Sequence, residues 1–237
     1  MTSRLSTTVL LLFLVLCSGC QTISLTESEP SPPNPLTYDS LWNSSENATF
    51  HLEKNQYRAV YHIENKSKIE LYRIHRINTK KPLDITEVQF RYPNGTLVFE
   101  DKLSIERNRF STSVILPSSP GKIGFISPRS GKSFQAPVIV TGNYTAILPN
   151  NSDVSISLLS KVSPSNYTTT LPSNQLHLHW NNPHFDSIYV QYYLFRDSQL
   201  LAALLIFCGV SLLIYSLIFW MQMKRIARNK FEADPPL

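Results

Sequence analysis

Apolar residues crowd both ends of the chain, and between the ends they alternate with polar ones. From about Thr49, short segments rich in Val, Ile, Tyr, Phe and Thr are separated by turn clusters, which is the texture of β-strands. The spacing predicts strands over Gln56–Glu64, Ile69–Ile77, Ile85–Tyr92, Thr96–Glu100, Phe110–Leu116 and Lys122–Ile126. It continues with Val138–Val140, Tyr144–Leu148, Val154–Leu159, Leu176–Trp180 and Ile188–Phe195. Alternation is strict where Val88, Phe90 and Tyr92 oppose Glu87, Gln89 and Arg91. Tyr92-Pro93-Asn94-Gly95 then reads as a turn, because Asn and Gly tolerate positive φ. No segment between Thr49 and Phe195 carries a 3.6-residue period. The fold class expected for 49–197 is therefore all-β, a β-sandwich that is either one large unit or two small ones. A break near 128–132 (PRSGK) is where two halves would divide.

The closing apolar block runs from Leu200 to Met221 without a charge. As a helix it would be about 33 Å long, enough to cross a bilayer core. Tyr215 and Trp220 sit toward its distal end, where an aromatic belt would fall, and Lys224, Arg225, Arg228 and Lys230 follow. Basic residues of this kind stay in the cytoplasm, so the expectation is a single-pass helix over 200–221 with a basic cytoplasmic tail over 222–237. The β region is then extracytoplasmic. Arg196-Asp197, just before the span, reads as an interfacial pair.

The opening block, Val9–Leu16, is too short to span comfortably and follows Arg4, so 1–20 reads as an export signal. Ser18-Gly19-Cys20 resembles a lipobox end, which makes Cys20 the lipidation candidate. Lipidation, ordinary cleavage and an uncleaved anchor stay open, with lipidation favoured. Residues 21–48 are rich in Ser, Thr, Pro and Glu and read as a stalk onto which Leu41 and Trp42 could fold back.

Charge and cysteine content sharpen this picture. The net charge is +5, but between Gln21 and Asp197 there are 17 Lys/Arg against 15 Asp/Glu. The excess thus sits largely at the flanks of apolar segments, and nucleic acid is not an expected partner. The cysteines are Cys17, Cys20 and Cys208, which leaves the middle without a disulfide framework. Asn-X-Ser/Thr sequons at Asn43, Asn47, Asn65, Asn94, Asn143, Asn150 and Asn166 are glycosylation candidates on an exterior face.

Little points to catalysis. Ser130-Gly131-Lys132-Ser133 contains a GKS triplet but lacks the upstream glycine of a phosphate loop, since Ile126 stands there. His177 and His179 share one strand face and could ligate a metal with His184 or Asp186, although an exposed polar face explains them more simply. No catalytic residue, metal site or cofactor is expected.

The order YRAVY (57–61), VQFRYPNGT (88–96), VSP (162–164) and YYLFRD (192–197) before a helix and basic tail resembles an uncharacterised family of membrane-anchored surface proteins from halophilic archaea, a domain-of-unknown-function family. The resemblance implies the same anchored topology and transfers no activity. The expected function is a non-enzymatic envelope or binding module whose partners are membrane lipid and, through 200–221, another membrane protein. The alternatives are an exterior accessory subunit of a membrane transporter, secretion or respiratory complex and an extracytoplasmic hydrolase.

Overall fold

The structure, a computed structural model, describes residues 38–75, 79–172 and 175–233. The signal segment 1–20 with Cys20, and residues 21–37 of the expected stalk, lie outside the described residues. The chain is mostly β-sheet, with one long apolar helix at its C-terminus. Helix α1 (Asp39–Trp42) leads into β1 (Ala48–Leu52), β2 (Gln56–Ile63), β3 (Lys68–His75), β4 (Thr79–Pro82), β5 (Thr86–Arg91) and β6 (Leu97–Phe99). Then come β7 (Ser104–Arg107), β8 (Thr112–Ile115), β9 (Gly121–Pro128), β10 (Ser133–Pro137), β11 (Tyr144–Ile147) and β12 (Ser152–Asp153). The last strands are β13 (Lys161–Ser163), β14 (Tyr167–Thr170), β15 (His177–Trp180), β16 (Ser187–Gln191) and β17 (Tyr193–Leu194), and helix α2 spans Phe195–Ala233.

An eight-stranded sheet runs β14-β15-β11-β1-β2-β9-β5-β6. Its pairs are antiparallel except β1 with β11, which run parallel. Smaller sheets run β4-β3-β8-β7, β10-β16-β13 and β12-β17. The period-2 pattern explains the core. Phe50, Tyr57, Tyr61, Phe90, Ile123, Phe125, Tyr144, Leu178 and Trp180 all turn to one face of the large sheet. Against them lie Ile69, Leu71 and Val114 from one small sheet and Phe134, Ala136, Ile188 and Val190 from another. Phe134 packs 5.1 Å from the Phe50 ring and 4.8 Å from that of Tyr57. The Tyr61 hydroxyl donates to the Pro137 carbonyl at 2.9 Å, which satisfies a buried polar group across the core. Residues from both sides of 128–132 contribute to this one cluster.

The opposite face of the large sheet is covered locally by α1. Tyr38, Leu41 and Trp42 are buried against Val60 and Ile126. Gly124 makes the close approach possible, because a Cβ there would meet the Trp42 ring at 2.8 Å. The Asn94-Gly95 turn forms as its sequence indicates, with Gly95 at φ +87° and its N–H donating to the Tyr92 carbonyl at 2.9 Å.

Two expected strands are absent. Val138–Val140 is irregular, and its amides are satisfied outside a ladder: Val138 donates to the Asp186 carbonyl at 3.0 Å and Val140 to the Tyr144 hydroxyl at 3.0 Å. Val154–Leu159 is a compact turn in which the Ser160 hydroxyl donates to the Val154 and Ile156 carbonyls at 2.7 and 2.8 Å. These local partners, backbone and side chain, replace the neighbouring strand that an isolated apolar run would have needed. Conversely, β1, β4, β7, β10, β12, β13 and β14 form where no strand was expected.

The strand registers define two ends. Ala48, Tyr61, Arg91, Lys122, Tyr144, Tyr167 and Trp180 lie at one end of the large sheet. Leu52, Tyr57, Pro128, Ile147, Thr170 and His177 lie at the other. From Pro128 the chain crosses to Ser133, which pairs with Gln191 just before α2 begins. The terminal helix therefore leaves from this second end, here called the helix end, and the opposite one is the far end.

Candidate functional site

A cleft of about 400 Å³ opens at the far end, lined by Trp42, Asn43, His62, Arg91, Tyr92, Pro93, Pro120, Gly121 and Lys122. Register builds it: Arg91 and His62 flank Lys122 on the strands paired to either side of β9. The Lys122 ammonium donates to the Trp42 and Ser44 carbonyls at 2.8 and 2.9 Å. It thereby ties α1 to the sheet and keeps one of its three donors for other use. Burial and the neighbouring Arg91 push its pKa below the ordinary lysine value. Phe90 braces the Tyr92 ring edge-to-face at 5.2 Å. The cleft thus presents two cationic side chains, of which Lys122 is held in place, a histidine and a proline-lined rim, a lining suited to an anionic group.

Sequons surround this end. Asn47 and Asn143 immediately precede β1 and β11, Asn65 follows β2, Asn94 sits in the β5–β6 turn, Asn166 precedes β14, and Asn43 lines the cleft. All are exposed except Asn47, which is half-buried and accepts the Asn143 N–H at 2.9 Å. Asn150, also exposed, lies at the helix end instead.

The helix end is a built joint. Strand β17 pairs with β12, so Ser152 faces Leu194 and Asp153 faces Tyr193. The Phe195 N–H donates to the Asn151 carbonyl at 3.0 Å. The Asp153 carboxylate accepts from the Tyr193 hydroxyl at 2.8 Å, the Ser155 hydroxyl at 2.8 Å and the Val154 and Ser155 amides at 2.6 and 3.0 Å. Burial opposes its ionisation, but the bonds from Ser155, Tyr193 and the two amides outweigh that and hold the carboxyl below its usual range. Asp197 accepts the Leu194 N–H at 2.7 Å, capping the first turn of α2, and pairs with Lys132 at 2.5 Å. Lys132 belongs to the GKS triplet, whose loop here fastens the sheet to the helix. Beside it Arg129 is buried. Its guanidinium donates to the Glu53 carbonyl at 2.6 Å, to the Gly131 carbonyl at 3.2 Å and to the Tyr192 hydroxyl, and it lies 5.2 Å over the Tyr192 ring.

The remaining residues singled out in the sequence are spread apart. His177 and His179 project from the face of β15 opposite the buried Leu178. Both ring nitrogens of His179 are engaged, by Thr145 at 2.9 Å and Thr170 at 2.8 Å. Burial, with the charges of His179 and His51, lowers the pKa of His177. Among the described residues, no group of three or more His, Cys, Asp or Glu side chains is placed to hold a metal ion. Lys224, Arg225 and Arg228 are exposed on the last turns of α2, and the Lys224 ammonium lies 3.7 Å over the Trp220 ring; the Lys230 side chain lies outside the described residues. Sequence reasoning missed Arg129, Lys122 and Asp153. No pattern distinguishes a buried arginine satisfied by carbonyls from a solvated one, since its partners come from Glu53 and Tyr192, distant in sequence.

A model described as a family of unknown function (DUF5803) matches residues 44–235. No curated protein matches. Among solved structures, an M1 zinc metallopeptidase from Deinococcus radiodurans, an E323A mutant bound to Tyr-Ser-Ala, is 10% identical over 62% of this chain and 41% of that one, with a TM-score of 0.34. The same metallopeptidase without that description is 11% identical over the same shares, with a TM-score of 0.33. The match spans less than half the length of those chains.

Proposed function

We propose, for a chain that belongs to the DUF5803 family of unknown function, that the β-rich region is a two-layer sandwich held outside the cell by α2 and acting as a non-enzymatic binding module. One observation carries the reading: α2 leaves one end of the sheet, while the cationic cleft and six of the seven sequons gather at the other. Such an arrangement presents a ligand surface away from an anchor. Among the described residues α2 is the one helix long and apolar enough to cross a membrane. Its side chains from Ala202 to Ile226 are exposed in the isolated chain, as lipid-facing side chains would be. Lys224, Arg225, Arg228 and Lys230 then lie on the cytoplasmic side. A lipid on Cys20 would tether the N-terminal segment to the same surface, and glycans on the far-end sequons would surround the cleft.

Protease added to intact cells, followed by immunoblotting with an antibody to the C-terminal tail, tests this reading. The expected result is loss of the β-rich mass with the tail retained. Trimming only after lysis would overturn it. Mild-detergent extraction with mass spectrometry reports the modifications at Cys20 and the sequons. Co-purification of a polytopic protein would favour the accessory-subunit role.

A further inference from the structure

We infer that the turn formed by 154–160 seats the domain on the lipid surface, with Leu158 inserted among the headgroups and Lys161 and Arg196 set against anionic lipid. The inference rests on α2 spanning the membrane. Leu158 is 76% exposed, more than any other large apolar side chain among the described residues, Tyr215 of α2 at 70% included. An apolar side chain so exposed on a floppy loop would mean little. This turn is fixed instead: the Ser160 hydroxyl bonds the Val154 and Ile156 carbonyls, Leu159 and Ser160 amides both donate to Ile156 at 3.0 Å, and Asp153 at its root is tied to Tyr193. Its position is also fixed. Strand β13 pairs antiparallel to β16 with Lys161 opposite Gln191. Strand β16 runs toward α2, so β13 runs away from it, and the residues just before Lys161 lie on the helix side. Phe195, the first residue of α2, is 65% exposed beside the same joint.

Charge supports the same surface. The two carboxylates of the joint are turned onto the protein, Asp153 onto Tyr193 and Ser155, and Asp197 onto Lys132 and the Leu194 amide. Lys161 and Arg196 are exposed and remain on the outside. An exposed leucine at the end from which the helix leaves, with exposed Lys161 three residues on and exposed Arg196 in the first turn of α2, matches an anionic membrane interface.

The full chain in nanodiscs of phosphatidylcholine and phosphatidylglycerol tests this. An environment-sensitive fluorescent amino acid is placed in separate variants at Leu158, at Phe207 in α2 and at Leu97 at the far end, and quenching by bromine-labelled lipid is measured. The expected pattern is quenching at 158 and 207 and none at 97. Quenching at 207 with none at 158 would overturn the seating and leave the anchor intact. No quenching at 207 would overturn the anchor and the seating with it. Lys161→Glu combined with Arg196→Glu should weaken contact at 158 by at least about fivefold for each basic residue lost. Contact unchanged by that pair, or by removing phosphatidylglycerol, would overturn the electrostatic part.

Discussion

At the residue scale, small side chains decide how closely segments approach. Gly124 lets the Trp42 ring approach the large sheet closely, and the Tyr38 ring lies tilted against that ring with centroids 5.6 Å apart. Gly124→Ala should push Trp42 and α1 off β9. The added methyl meets a bulky indole rather than a flexible tip, so overpacking of about 1–3 kcal/mol is expected. Thermal unfolding should shift down, and amide exchange at Trp42, whose N–H donates to the Tyr38 carbonyl at 2.8 Å, should accelerate. An unchanged exchange rate would mean that α1 is held elsewhere. Arg129 makes the converse point. Its charge is buried without a carboxylate among its bonded partners, but carbonyls, a hydroxyl and a ring meet its donors, which is what makes a buried guanidinium tolerable.

At the scale of elements, the shortest strands carry the joint. Strands β12 and β17 have two residues each, too few to hold by ladder bonds alone. The Asp153 carboxylate supplies what the ladder lacks. Asp153→Asn replaces a charged acceptor by an amide whose NH₂ cannot accept from Tyr193 or Ser155. The expected loss is about 1–3 kcal/mol at the joint, read as faster hydrogen exchange at Leu194 and Phe195 with little change at Phe50 or Tyr61. Equal protection in the variant would show that Lys132–Asp197 and the Asn151 carbonyl suffice. A distortion appears in β5 as well, where the register against β9 shifts between Thr86 and Gln89 and Glu87 takes φ +52°. The Val88 amide there donates to the Glu100 carboxylate at 3.3 Å, which keeps the bulge satisfied and lets Val88 and Phe90 still reach the core.

At the scale of the molecule, burial sets the response to pH. His51 and His177 have lowered pKa values, chiefly from burial. The unfolded chain therefore takes up protons near 6.5 that the folded chain resists, and stability should fall as the pH drops below about 6.5. Asp153 adds a second step. Its folded pKa lies below 3.8, so the stability it contributes is present above 3.8 and is lost as the pH falls through the lower folded value. Denaturant midpoints measured across that range should decline in both windows, and a flat profile would mean that the two histidines exchange protons freely in the folded state. The two opposed ends are also a property of this scale. Sequons scattered from Asn43 to Asn166 converge because β1, β2, β5, β11 and β14 all begin or end at the far edge.

The amino-acid sequence alone determined what depends on near neighbours. The strands expected over Gln56–Glu64 and Ile85–Tyr92 form as Gln56–Ile63 and Thr86–Arg91, the Asn94-Gly95 turn forms, and the uncharged stretch from Leu200 to Met221 is helical; each follows from residues close in the chain. Tertiary structure decided the rest, because a ladder bond joins residues the local pattern cannot pair. Ser133–Pro137 is not among the expected strands, and becomes one because β16 supplies the partner backbone. Val154–Leu159 is apolar enough to read as a strand, and becomes a turn because Ser160 and Asp153 satisfy its backbone first. The cleft that gathers Arg91, His62 and Lys122, and the joint that brings Arg129 to Tyr192 and Asp153 to Tyr193, exist only once the registers are set, since their members are far apart in the chain.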